Sequence, residues 1–184
     1  MTATTAKWTL DDYHRMIEVG LLEGRHVELL NGEIIEMPPE GPEHAYLGDE
    51  VGKYLTRLLG RSARVREGRP ITLPNNSEPE PDLAIVKHLG QVYRQRHPYA
   101  EDIFWLIEFS NTSLAQDLEV KRKTYAAAEI QDYWVVDLKH RYLKVFRKPV
   151  EGDYASPIVL TGGEIRPLAF PDIAVSVRRL LEGQ

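Results

Sequence analysis

Two short apolar runs constrain this chain most: "DLAIV" at residues 82–86 and "IFWLIEF" at 103–109. Each is bounded by breakers, with "LPNNSEPEP" before the first and the polar "KHLGQVYRQRHPYAE" between the two. Short apolar runs without alternation read as central strands buried on both faces. Such strands need a covering layer on each side. Leu47, Val51, Tyr54, Leu55 and Leu58 recur at helical spacing over residues 44–59, and "SLAQDLEVKRKTYAAAEI" reads as a second helix capped near Asn111–Ser113. Each apolar run also carries an acid. Asp82 opens the first and Glu108 lies near the end of the second. A carboxylate at the mouth of a buried strand costs several kcal/mol to desolvate unless a partner or an ion satisfies it.

The remaining elements follow from local signals. Thr9 is placed to cap a short helix through Ile17. "HVELLNGEIIEM" is a hairpin built on Asn31-Gly32, the pair favoured in type I′ turns. Further strands are expected at Ala63–Glu67, Pro70–Leu73, "DYWVVDL", "RYLKVFRK" and Ala155–Leu160, with a terminal helix over Val175–Leu181. The order predicts an α/β sandwich: a mixed β-sheet flanked by helices, with additional β-hairpins. The 184 residues fit one domain, 1–184.

Composition narrows the chemistry. The chain has no cysteine, which excludes disulfides and thiolate metal sites. It has no signal-peptide pattern and no apolar run near the roughly 18 residues of a membrane span, so a soluble, cytoplasmic protein is expected. The net charge of −5 is unevenly spread. Residues 1–50 hold three Lys/Arg against eleven Asp/Glu, whereas "RLLGRSARVREGR" at 57–69 holds five Arg and one Glu. A mildly acidic protein can still present a basic surface, and Arg61, Arg64, Arg66 and Arg69 are the candidate phosphate contacts.

Asp82 and Glu108 can meet if their strands are neighbours and both side chains share a face. Two such carboxylates repel, and a bound Mg²⁺ (or Mn²⁺) reverses that cost; the Phe109 backbone carbonyl is a further hard-oxygen ligand. Ser110, two residues after Glu108, falls on the same strand face. Asp117, Lys121 and Tyr125 stand at i, i+4 and i+8, on one helical stripe from which Lys121 could reach the carboxylates. Each residue also has a plain structural reading. Asp82 could cap a turn, Glu108 could pair with Lys121 or an arginine, and Asp117–Lys121 could be a surface ion pair. Tyr125 could simply pack, and Trp105 and Trp134 read as core aromatics. Pro171-Asp172, a second Pro-Asp pair with no acid and lysine behind it, reads as a turn.

The joint pattern is more specific than its parts. "EPDLAIV", "LIEFSNTSLAQDLEVKRKTYAAAEIQDYWVVDL" and "VELLNGEIIEMPP…H" together resemble the Uma-type putative restriction endonuclease family, within the PD-(D/E)xK nuclease superfamily, from about Val27 to Phe146. The resemblance implies a restriction-endonuclease-like fold and divalent-metal hydrolysis of DNA phosphodiesters. Asp82 matches the motif aspartate and Glu108 the motif acid. Many superfamily members carry a lysine where this chain has Ser110; here that lysine is displaced to the following helix, as Lys121 or the nearby Lys123. Glu28 and His44 match recurrent polar positions, although Glu28 could be exposed on an edge hairpin and His44 could be a capping or surface residue. Cutting both strands would be easiest for a two-fold homodimer. The alternatives are a non-catalytic nucleic-acid-binding module on the same fold, and a metal-free hydrolase using the paired carboxylates.

Overall fold

The computed structural model describes residues 4–111 and 117–184, with Asp117 described by its backbone alone. The chain enters through helix α1 (Leu10–Glu18). Thr9 caps it in a reciprocal box: the Thr9 hydroxyl accepts from the Asp12 N–H at 3.1 Å, and the Asp12 carboxylate accepts from the Thr9 N–H at 3.0 Å. Strands β1 (Val27–Leu30) and β2 (Glu33–Glu36) form the expected hairpin. Asn31 and Gly32 take φ of 50° and 77°, as a type I′ turn requires. A Cβ on Gly32 would also sit 2.9 Å from the Trp8 carbonyl oxygen, so glycine is needed there twice over.

Helix α2 (Pro42–Leu59) begins with proline in its first turn, where a missing N–H costs nothing. It buries Leu47, Val51, Leu55 and Leu59. Six strands then make one sheet: β3 (Arg64–Glu67), β4 (Leu83–Val86), β5 (Ile103–Ser110), β6 (Asp132–Asp137), β7 (Tyr142–Arg147) and β8 (Ile158–Leu160), neighbours in that order. The sheet is mixed. Only the β5–β6 pair is parallel, which demands a crossover between them. The described part of that crossover is one π-helical turn, Asp117–Lys121, running into helix α3 (Arg122–Ala127). The short pair β9 (Glu164–Ile165) and β10 (Val175–Ser176) leads into helix α4 (Val177–Glu182).

The two apolar runs are central strands with both faces buried. Leu83, Ile85, Trp105, Ile107 and Trp134 point to a core shared with Leu47, Val51, Leu55 and Leu180. Ala84, Val86, Leu106, Tyr133 and Val135 point to the opposite core, under Tyr125 and Ala126 of α3. Trp105 and Trp134 are fully buried with ring centroids 5.7 Å apart, so they are core aromatics as expected. Pro171-Asp172 lies in a turn.

Three expectations are corrected. Pro70–Leu73 is not a strand: Thr72 and Leu73 make only isolated bridges, because the chain reverses at once over residues 74–76 to return Ser77 opposite Leu73. The strand expected from Asp82 starts one residue later, at Leu83. Val175 and Ser176 are extended rather than helical, with Ser176 acting as the N-cap of α4. The proposed cap over Asn111–Ser113 falls largely outside the described residues. Among the described residues no helix is long and apolar enough to cross a membrane.

Candidate active site

The register of β4 against β5 builds the site. Leu83 faces Ile107 and Ala84 faces Leu106, so one step further sets Asp82 opposite Glu108 and Pro81 opposite Phe109. The Ser110 carbonyl accepts from Leu138 on the β6 side, so the backbone groups of Phe109 turn the other way, toward β4. Pro81 has no N–H to offer there. The Phe109 N–H instead donates to Asp82 Oδ2 at 2.6 Å. The Phe109 carbonyl faces the Asp82 side with no strand N–H opposite it. Proline before aspartate therefore has a physical consequence: it breaks the ladder just where an aspartate takes over one of its hydrogen bonds.

Asp82 Oδ2 also lies 3.0 Å from His44 Nε2, at the start of α2. Its Oδ1 has no protein partner among the described residues. Glu108 is 2% exposed. Its Oε1 accepts from Lys121 Nζ at 3.1 Å and from the Tyr125 hydroxyl at 2.8 Å. Its Oε2 faces the Asp82 N–H at a long 3.4 Å. Lys121 and Tyr125 are one helical repeat apart, and the stripe they share does face the sheet. The π turn leading into α3 sets this placement, and such turns are frequent at functional sites. The side chain of Asp117 lies outside the described residues. Ser110 is fully buried on the strand face of Glu108. Lys123 is exposed, whereas Lys121 is 2% exposed, so Lys121 is the lysine brought to the acids rather than half of a surface pair.

Glu28 was expected as a possibly exposed hairpin residue, and this is corrected: it is 2% exposed. Its Oε1 accepts from the Glu80 N–H at 3.1 Å and lies 3.4 Å from Lys121 Nζ, while Oε2 is buried without a hydrogen-bond partner among the described residues. Burial raises the Glu28 carboxyl above its ordinary pKa, only partly opposed by Lys121. Burial and the neighbouring Glu108 push the Tyr125 hydroxyl well up, so it stays a donor. The local signal for Glu28 was its position between Val27 and Leu29 in an unbroken apolar strand. His44 is not a free surface residue either, since its side chain is 17% exposed and bonded to Asp82. Nothing local in the sequence shows that contact, because its partner lies 38 residues away.

A cavity of about 280 Å³ opens over these groups, lined among others by Glu28, His44, Gly68, Asp82, Glu108 and Lys121. Among the described residues that line it are one ammonium, Lys121, and five carboxylates, those of Glu28, Glu40, Glu80, Asp82 and Glu108, so the site has room and electrostatic need for further positive charge. Its donor set is hard: carboxylate oxygens and a backbone carbonyl, fit for Mg²⁺ or Mn²⁺. Asp82 also joins Glu40 and His44 in a group whose ligand atoms lie within 4.8 Å of one another. Glu108 stands outside that group, drawn toward Lys121 and Tyr125. None of the four candidate arginines lines the cavity; Arg66 and Arg69 flank Gly68, which does, while Arg64 begins β3 and Arg61 lies before it, further along the chain from Gly68.

The mixed sheet flanked by helices, with acids and a lysine gathered at one end, is a nuclease fold. It is similar to the crystal structure of a putative nuclease belonging to DUF820 from Anabaena variabilis, with a TM-score of 0.72 at 16% identity, over 95% of this chain and 98% of that one. The family model Uma2, described as "Putative restriction endonuclease", matches residues 10–178, and the chain belongs to that family. No curated protein matches it. Fold and family together support a nuclease.

Proposed function

We propose that this protein is a divalent-metal-dependent endonuclease of the PD-(D/E)xK type that hydrolyses phosphodiester bonds of DNA. The observation that carries the reading is the buried Lys121–Glu108–Tyr125 contact beside Asp82. Asp82, Glu108 and the Phe109 carbonyl would hold Mg²⁺ or Mn²⁺. When bound, such an ion acidifies water and offsets charge on the scissile phosphate. Lys121 presents Nζ to the attacking water or to a phosphate oxygen and stabilises the charge that develops there. Tyr125 fixes the Glu108 carboxylate from behind, and His44 fixes Asp82. These two position ligands rather than react. Glu28 holds Lys121 in place and adds negative charge that a cation would relieve. Cutting both strands would call for two copies of the chain around a two-fold axis.

Plasmid nicking with Mn²⁺ tests this reading. The wild type is expected to bind Mn²⁺ by calorimetry and to nick, and EDTA should abolish cutting. Asp82→Ala should lose both metal binding and nicking while retaining DNA affinity. Cutting that persists in excess EDTA would favour paired-carboxylate hydrolysis without metal. DNA binding with neither metal affinity nor nicking in the wild type would favour a binding module.

A further inference from the structure

Arg66 carries a charge that the protein leaves unbalanced. It sits opposite Ala84 on β4, so its side chain emerges on the sheet face that holds Leu106 and Glu108. Its guanidinium lies 5.5 Å from the centroid of the Tyr93 ring, and Nη2 reaches the Pro70 carbonyl at 3.5 Å. Its Nε is buried without a hydrogen-bond partner among the described residues. The other partly buried arginines, Arg96, Arg122 and Arg147, each meet an aspartate. Arg66 forms no ion pair among the described residues, and the permanently charged groups that bear on it are Arg64 and Arg69, both positive. A half-buried guanidinium among like charges is unfavourable unless an anion completes the site.

Its place relative to the cavity says which anion. The Gly68 N–H donates to the Asp82 carbonyl at 3.0 Å, and Gly68 lines the cavity. Arg66 is two residues earlier on the same chain, about 6.6 Å if extended, and its Nη2 reaches past Gly68 to the Pro70 carbonyl. A planar fork matches phosphate geometry, and the Tyr93 face restricts how the fork can turn. We propose that Arg66, with Arg64 and Arg69 beside it, is the subsite for a phosphodiester that flanks the scissile one, so that the site takes a nucleic-acid strand rather than a lone phosphate ester. This rests on the nuclease reading, which makes the cavity the seat of the scissile phosphate.

The test is fluorescence anisotropy of a short fluorescein-labelled DNA duplex in EDTA, repeated across a range of salt concentrations. Arg66→Gln is expected to weaken binding about tenfold at low salt and to reduce the salt slope by about one. Arg178→Gln, which removes an exposed charge on α4, should do neither. Arg66→Lys keeps the charge and loses the fork; it should bind about threefold more weakly with the slope retained, and it judges the subsite if Arg66→Gln fails to fold. Unchanged affinity and slope in Arg66→Gln would overturn the proposal, as would an equal loss in Arg178→Gln or wild-type affinity in Arg66→Lys. Plasmid nicking by the wild type with Mn²⁺ reads the chemistry alone. Its absence would count against the nuclease reading, whereas the anisotropy series alone decides whether Arg66 holds a phosphodiester.

Discussion

Lys121→Ala is expected to cut DNA about 10²- to 10³-fold more slowly than the wild type, the loss that follows removal of one preorganised donor to a developing negative charge. Its DNA affinity should change little, because Lys121 is 2% exposed beneath the cavity rather than on a surface that meets the duplex. The same substitution removes the ammonium that meets both Glu28 and Glu108. Glu28, already raised by burial, is then raised further. A carboxyl that binds protons more tightly folded than unfolded contributes stability that is fully present below its unfolded pKa. That advantage is lost as pH rises from the ordinary value of 4.5 through the raised one. The variant should therefore unfold more readily in urea as pH increases over that window, more steeply than the wild type. Near-wild-type nicking, or a urea midpoint with no added pH dependence, would show that Lys121 does not act between these acids.

The second large effect is structural. Asp132→Ala should destabilise the fold by about 3–5 kcal/mol, the range for removing one partner from a buried charged pair. Asp132 is fully buried at the start of β6. Its Oδ1 accepts from Trp134 Nε1 at 2.6 Å and Arg147 Nε at 2.9 Å, and its Oδ2 accepts from the Leu168 N–H at 2.9 Å. One carboxylate thus ties β6 to β7 and to the segment before β10, and satisfies an indole deep in the core. Alanine leaves the indole N–H, a backbone N–H and a guanidinium without their acceptor. Urea denaturation followed by Trp fluorescence measures the loss. A shift equivalent to less than about 1 kcal/mol would mean that water replaces the carboxylate without penalty.

The parts of this protein that were readable locally share a short range of cause. Asn31-Gly32 dictates its turn, Thr9 dictates its cap, and the helical spacing of Leu47, Val51 and Leu55 dictates a buried stripe. The two apolar runs dictate two doubly covered strands, and with the acids they carry they point to the end of the sheet where the cavity lies. The spacing of Lys121 and Tyr125 placed both on the stripe that meets Glu108. What stayed hidden depends on distant partners. Glu28 is buried because the Glu80 N–H and Lys121 surround it, 52 and 93 residues further along the chain. His44 meets Asp82 because α2 begins beside it. Residues 70–73 look like a strand, and only the turn that returns Ser77 to Leu73 denies them a ladder. The basic stretch at 57–69 read as one surface, yet α2, a turn and β3 divide it, and within it the cavity is lined by Gly68 and by no arginine.

The most direct measurement is an anomalous-scattering map from crystals soaked in Mn²⁺. One strong peak is expected, touching an oxygen of Asp82 and an oxygen of Glu108 at about 2.0–2.2 Å, with Lys121 Nζ in the adjoining space. A peak held by Glu40, His44 and Asp82 with Glu108 turned away, or no peak at all in the cavity, would contradict it.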